Sequence, residues 1–399
     1  MKVLIYCENY RKGGLDTFLA NLIKYWPEDE VSLMINRTHE GIDFIKSHIN
    51  PDNVIEVGLF SRHDFFKGAW KYSNFKIPLL ILNIFILVSS YVVQPFQLIS
   101  LFLKYRSYDR LLIVNGGYPG GQSCNIAAIV WFLVKGEKSW YNFHNNARKY
   151  NNLLKPLQIA FDFLVSKTTI EFISVSNDCI NSMYCRAGIE HDKLSFIYNG
   201  IETPSITSDL NSLCSIRRGV LDSNRKRIVM LGTYELRKGH EFAFSVMKQL
   251  PQYDLIVCGK GTESETERIK SMSQEIDNIY LLGHRTDNYN IIATSDLLLV
   301  PSMCNESFGL TIIEAMALNV PVIATRTGGM QEVITEQWDG LLVDYGDVCQ
   351  LKESIICLME DVELREKIKA NAVNSFKNKY GANIMALAYK NKLDVQRVK

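Results

Sequence analysis

Short continuous apolar runs alternate along the chain with stretches in which apolar residues recur at every third or fourth position. Residues 1–7 form the first run, closed by Glu8, and Leu15, Phe18, Leu19, Leu22 and Ile23 follow at helical spacing. Runs that end in small or polar turn residues return at 109–117, 140–145, 172–177, 194–201, 227–232, 255–261, 279–284, 296–301 and 320–325. A run without polar alternation suits a strand covered on both faces, as in a parallel sheet lying between helices. Strands alternating with helices in this way predict an α/β chain of doubly wound parallel sheets.

A length of 399 residues exceeds what one hydrophobic core usually supports. Two domains are therefore expected, over 1–205 and 206–376, with a polar linker from Glu202 to about Asn224 and a helical tail over 377–399.

Residues 77–103 break the rhythm, because they carry no charge. About 20 apolar residues suffice to span a bilayer, yet Pro78 and Pro95 bracket this stretch, and Asn83, Ser89, Ser90, Gln94 and Gln97 interrupt it. It reads as a buried helix pair, as an anchor lying in the membrane surface, or as a true span. Just ahead, Arg62, Lys67, Lys71 and Lys76 are interleaved with Phe65, Phe66, Trp70, Tyr72 and Phe75. That pattern suits anionic headgroups and predicts a cytoplasmic protein held peripherally at the inner face of the cytoplasmic membrane.

Candidate chemistry concentrates after the 296–301 run, which leads through a loop into a helix with apolar residues at Leu310, Ile313 and Ala317 and at Ile312 and Met316. Ser307, Phe308, Gly309 and Leu310 thus stand at a helix N-terminus, where unpaired amides and the helix dipole favour an anion. Glu306 sits at its mouth, placed to accept hydrogen bonds from hydroxyls or to cap the helix, and Glu314 lies further along it. Arg237 and Lys238, in the loop after the 227–232 strand, can neutralise a diphosphate or form a solvated turn. Gly13 and Gly14 link the first strand to its helix in the unit that brings backbone amides to a phosphate, although a Gly-Gly pair alone is commonly a turn. Gly259 belongs to a weak G-x-G after a strand. His144 ends a strand at the edge where open parallel sheets bind ligands, although a lone histidine is more often a structural residue than a catalyst.

A net charge of +1, with only a slight basic excess in the N-terminal half, argues against nucleic acid as a partner. The nine cysteines form no C-x-x-C pair, which favours reduced thiols in the cytosol. Metal-ligand spacing is absent and no D-x-D pair stands in a strand-loop context, so no metal and no cofactor are expected.

Glu306 and Glu314, seven residues apart with Phe308-Gly309 inside, resemble the E-x7-E motif of the retaining glycosyltransferases of family 4, the glycosyl transferases group 1. The resemblance implies the GT-B fold, two Rossmann-like doubly wound domains facing across a cleft, the first for the acceptor and the second for a nucleotide-diphosphate sugar. It implies a last helix that crosses back to the first domain. By resemblance Lys238 and the amides of Ser307 to Leu310 hold the departing diphosphate, Glu314 the ribose hydroxyls, and Glu306 and His144 the donor sugar. Gly13, Gly14 and Gly259 would border the donor. Residues 232–239 resemble the family's G-R-x-x-x-x-K-G, with Thr233 where the family has arginine, and Arg237 is the candidate replacement.

The activity implied is metal-independent, retaining transfer of a hexose from a UDP-sugar, more than a GDP-sugar, to a glycan. A lipid-linked oligosaccharide of surface polysaccharide synthesis is the preferred acceptor. A phosphorylase-like glycan enzyme and a non-catalytic sugar-nucleotide binder are the alternatives. A Rossmann dehydrogenase is not, since Gly13-Gly14 lacks the G-x-G-x-x-G form.

Overall fold

The computed structural model describes residues 1–61, 76–206 and 225–394. The basic and aromatic stretch ahead of Lys76, and the expected linker from 207 onward, lie outside the described residues. The chain divides into two compact units, Met1–Ile197 with Met385–Lys399, and Tyr198–Ile384.

Seven parallel strands build the first unit: β1 (Lys2–Cys7), β2 (Glu30–Asn36), β3 (Val54–Val57), β4 (Arg110–Asn115), β5 (Ser139–Phe143), β6 (Thr169–Ser174) and β7 (Leu194–Phe196). Their order is β3-β2-β1-β4-β5-β6-β7, so the winding reverses between β1 and β4. Val3, Ile5, Leu112 and Val114 from these strands are buried against Phe18, Leu19 and Leu22 of the helix Gly14–Lys24. Met385, Ala386, Tyr389 and Leu393, from the helix Ala382–Asp394, complete that core.

Six parallel strands build the second unit: β8 (Lys226–Leu231), β9 (Tyr253–Cys258), β10 (Ile279–Gly283), β11 (Leu297–Val300), β12 (Val322–Thr325) and β13 (Leu341–Val343). They are ordered β10-β9-β8-β11-β12-β13, and the reversal lies between β8 and β11. Ile228, Leu255, Val257, Leu297, Leu299 and Ile323 line this core with helical residues such as Phe244 and Ile355.

Two expectations need correction. Pro95 does not end a helix, because one helix runs from Lys76 to Lys104 with Pro95 inside it. A proline forfeits one helical hydrogen bond. Here the same turn gains two others, since Gln94 Nε2 donates to the Phe60 carbonyl at 3.0 Å and the Phe60 amide donates to Gln97 Oε1 at 2.9 Å. Among the described residues no helix is long and apolar enough to cross a membrane. The tail is not a single helix from 377 either: one helix runs Val362–Lys379 and the next begins at Ala382.

Candidate functional site

In an open parallel sheet, the loops leaving the two strands at the reversal diverge to opposite faces and leave a crevice beyond the strand ends. In the second unit these loops follow β8 and β11, and they carry Lys238 and Glu306. Lys238 Nζ donates to Glu306 Oε2 at 2.5 Å, and the two side chains are only 16% and 17% exposed. Arg237 Nη1 stands 3.6 Å from the same oxygen, and Ser302 Oγ donates to it at 3.3 Å. The Arg237 guanidinium is also held by Glu235, whose Oε2 accepts from Nε at 2.6 Å.

Backbone contacts fix this meeting. The Met303 amide donates to the Arg237 carbonyl at 2.7 Å. Gly239 has a positive φ of 73°, and a Cβ there would fall 1.8 Å from the Pro301 carbonyl oxygen, so the two loops touch through a glycine. Gly328 and Gly329 brace the other side: the Gly329 amide donates to the Glu306 carbonyl at 2.8 Å, and a Cβ on Gly328, whose φ is 54°, would lie 2.2 Å from that oxygen.

The helix Leu310–Ala317 starts immediately after Gly309, as the periodicity predicts. The first amides of a helix lack i−4 partners within it; here the loop that carries Glu306 leads directly into them, and the Ile312 amide donates to the Gly309 carbonyl at 3.0 Å. Ser307 is buried at the start of this turn. The Phe308 side chain points into the unit, packing on Tyr198 and Tyr380 with ring centroids 5.9 and 6.0 Å away, so only its backbone is available to a ligand. Glu314 lies among apolar residues of the same helix, and burial pushes its carboxyl up to about 7. Tyr289, on the helix Asn288–Ala293, is close enough to be affected by Glu314 electrostatically. Gly259 donates its amide to the Gly283 carbonyl at 2.9 Å and ties two strand ends together.

The first unit has its own strand-order reversal, between β1 and β4. Asp16 occupies the start of the helix Gly14–Lys24: its Oδ2 accepts from the Gly13 amide at 2.8 Å, and its Oδ1 lies 2.7 Å from Nε2 of buried His39. The Gly13 amide is therefore committed to a side chain of its own helix, and Gly14 opens the first turn. Glu8, at the end of β1, reaches the start of the helix Gln122–Lys135 after β4 and accepts from the Ser123 amide at 2.8 Å and the Ser123 hydroxyl at 2.6 Å. His144, just past β5, donates its amide to the Asn115 carbonyl at 3.2 Å, and its ring stands edge-on to Phe18 at 4.3 Å between centroids. His144 Nε2 is buried with no hydrogen-bond partner among the described residues, and burial pushes the ring down to about 3.

The structure thus brings Lys238, Arg237, Glu306 and the 307–310 turn together at one strand-end crevice, with Glu314 on the helix behind them. Gly13, Gly14 and His144 belong to the other unit. In the sequence Gly328-Gly329 reads only as a turn into the next helix, and Ser302 is not a candidate. Ser302 gave no signal beyond being a serine after a strand, whereas the Gly-Gly pair after the 320–325 run repeats the strand-to-glycine pattern.

The model described as glycosyl transferases group 1 matches residues 215–375. An uncharacterized 41.2 kDa protein in the cps region of Klebsiella pneumoniae is 26% identical over 271 residues, covering 63% of this chain and 69% of that protein. The lipopolysaccharide core biosynthesis glycosyltransferase LpsD of Rhizobium meliloti is 27% identical over 165 residues, 41% of this chain and 47% of LpsD. Apart from the Klebsiella protein, the chain spans about half the length of the curated relatives it matches. Among solved structures, Anabaena Alr3699/HepE in complex with UDP superposes with a TM-score of 0.75 at 18% identity, over 99% of this chain and 100% of that one. The same protein in complex with UDP-glucose gives 0.72. At that identity the likeness shows the fold.

Proposed function

Since the chain belongs, through residues 215–375, to the glycosyl transferases group 1, we propose that it moves a hexose from a UDP-sugar to a hydroxyl of a lipid-linked glycan, with retention at the sugar carbon and without a metal. The observation that carries this reading is the Lys238–Glu306 pair at the β8/β11 reversal. The UDP and UDP-glucose complexes of the Anabaena protein support the donor class. The cps and lipopolysaccharide settings of two relatives support the acceptor class.

The pair explains how one crevice can serve both ends of a sugar diphosphate. Glu306 directs the Lys238 side chain into the loop junction. A diphosphate, carrying about two negative charges, competes for the lysine through stronger charge-assisted hydrogen bonds. Lys238 and the amides at 307–310 then hold the diphosphate, and Glu306, released, accepts hydrogen bonds from sugar hydroxyls. Glu314 takes the ribose hydroxyls. The bond from the sugar carbon to the diphosphate oxygen breaks as the acceptor oxygen attacks from the same face, and the leaving oxygen takes the acceptor proton. Donors aimed at that oxygen stabilise the charge developing on it.

Calorimetric titration of UDP, GDP and ADP into wild type and Lys238→Ala tests the reading. UDP binding that is lost in the variant is expected; binding of none, or equal binding by both proteins, overturns it. Turnover that survives EDTA supports a metal-free reaction, and its loss on chelation removes that part.

A further inference from the structure

Beside the helix that follows β4, the first unit exposes an apolar face. On the helix Lys76–Lys104, Val88, Val92 and Phe96 stand at four-residue steps and point outward, Phe96 being 70% exposed. A second group surrounds the start of the helix Lys155–Thr168, where Leu153 and Leu157 are 87% and 69% exposed beside Leu154. Tyr91 of the first helix meets Phe161 of the second edge-on, with centroids 6.2 Å apart, so the two groups form one face. Exposed apolar residues gathered in this way mark an interaction surface.

Its charges name the partner. Arg148, Lys149 and Lys155 are exposed around the three leucines and have no acidic partner among the described residues. No acid occurs from 147 to 161. The one acid that follows, Asp162, is turned inward: Arg186 Nε and Nη2 donate to its two oxygens at 2.9 Å each, and the hydroxyls of Tyr118 and Tyr150 donate to them as well. A second copy meeting this face about a two-fold axis would set its cations against each other. An anionic lipid surface matches both the leucines and the cations.

The face also ends in a useful place. Ser90 exchanges hydrogen bonds with Gln122, the first residue of the helix after β4, and the neighbouring Ser123 binds Glu8 at the end of β1. The apolar stripe therefore reaches the C-terminal edge of the sheet, where parallel sheets take ligands. We propose that the face built from 88–96 and 148–157 docks on an anionic bilayer and delivers a lipid-borne acceptor to that edge. Only the delivery rests on the transferase reading.

Flotation of the full chain with phosphatidylglycerol/phosphatidylcholine vesicles and with phosphatidylcholine vesicles tests the docking. Wild type is expected to float with the anionic vesicles. The set Arg148→Ser, Lys149→Ser and Lys155→Ser should lose roughly fivefold in partition per cation, about a hundredfold together. Leu153→Ser with Leu157→Ser should weaken partition further, and circular dichroism checks that each variant is folded. Equal partition of wild type and the folded cation set overturns the proposal, as does a wild type that ignores both vesicles. A concentration-dependent dimer that Leu153→Ser dissolves also overturns it, by assigning the face to a second copy. UDP titration of the same proteins separates the two readings, since loss of UDP binding in wild type sinks the transferase reading and leaves the docking standing.

Discussion

The Lys238 ammonium and the Glu306 carboxylate share a 2.5 Å hydrogen bond although 68 residues separate them in the chain. Each comes from a loop that leaves one of the two central strands of the second sheet, and the adjacency of those strands makes them neighbours. Lys238→Ala is expected to lower kcat by about 10²–10³, the usual loss on removing one donor to developing charge. Arg237→Ala should have an intermediate effect, because Glu235 already holds its guanidinium and it stands further from Glu306. Steady-state kinetics on both variants checks this ranking. Equal, small losses would take the loop out of the site.

Glu314 links stability to pH. Burial raises its folded pKa to about 7, from an ordinary value of 4.5. The folded state thus holds the proton more tightly, and the stability this gives is complete below pH 4.5 and lost as pH rises through 7. The span is at most about 3 kcal/mol. Glu314→Gln should flatten that part of the stability–pH curve and raise the midpoint of thermal unfolding at pH 8 while weakening nucleotide binding. A variant equally steep in pH would show that Glu314 is solvated.

His144 has the opposite sign. Burial lowers its folded pKa to about 3, so the stability its neutral ring allows is present above pH 6.5 and lost as pH falls toward 3. His144→Gln should remove this contribution between those values. The imidazole is neutral at physiological pH; a bell-shaped kcat profile with a limb near pH 6.5 that vanishes in the variant would contradict this.

Gly328→Ala tests the brace behind Glu306. The added Cβ meets a backbone oxygen at 2.2 Å from a left-handed conformation, so the strand-end turn must move. A loss of about 2 kcal/mol is expected, or roughly 4–8 °C in a unit of this size. Turnover of the folded fraction should fall as well, because Glu306 moves with the turn. Unchanged kinetics would mean that the shift is absorbed elsewhere.

Much of this was legible in the residues. The 296–317 strand, loop and helix could be read because each element is local and its period is unambiguous, and the helix does begin at Leu310. Strand order was not legible, since no single run says which other run lies beside it, and the meeting of Lys238 with Glu306 follows from strand order alone. Pro95 misled because its local cost is offset by Gln94 and Gln97 reaching Phe60, a contact 34 to 37 residues away in sequence. The commitment of the Gly13 amide could have been foreseen, since an acid three residues after a helix start is half of a capping box. It makes that loop a less open phosphate cradle than the glycines alone suggest.

The first unit closes its core with residues from the far end of the chain. Buried Asn142, on β5, donates to the hydroxyl of buried Tyr389 at 2.7 Å, a contact spanning 247 residues. At about 5–20 residues per second of synthesis, some 12–50 s pass between the emergence of its two ends. During that interval the nascent sheet has Phe18 and its neighbours without their cover, so the half of the protein made first is finished last.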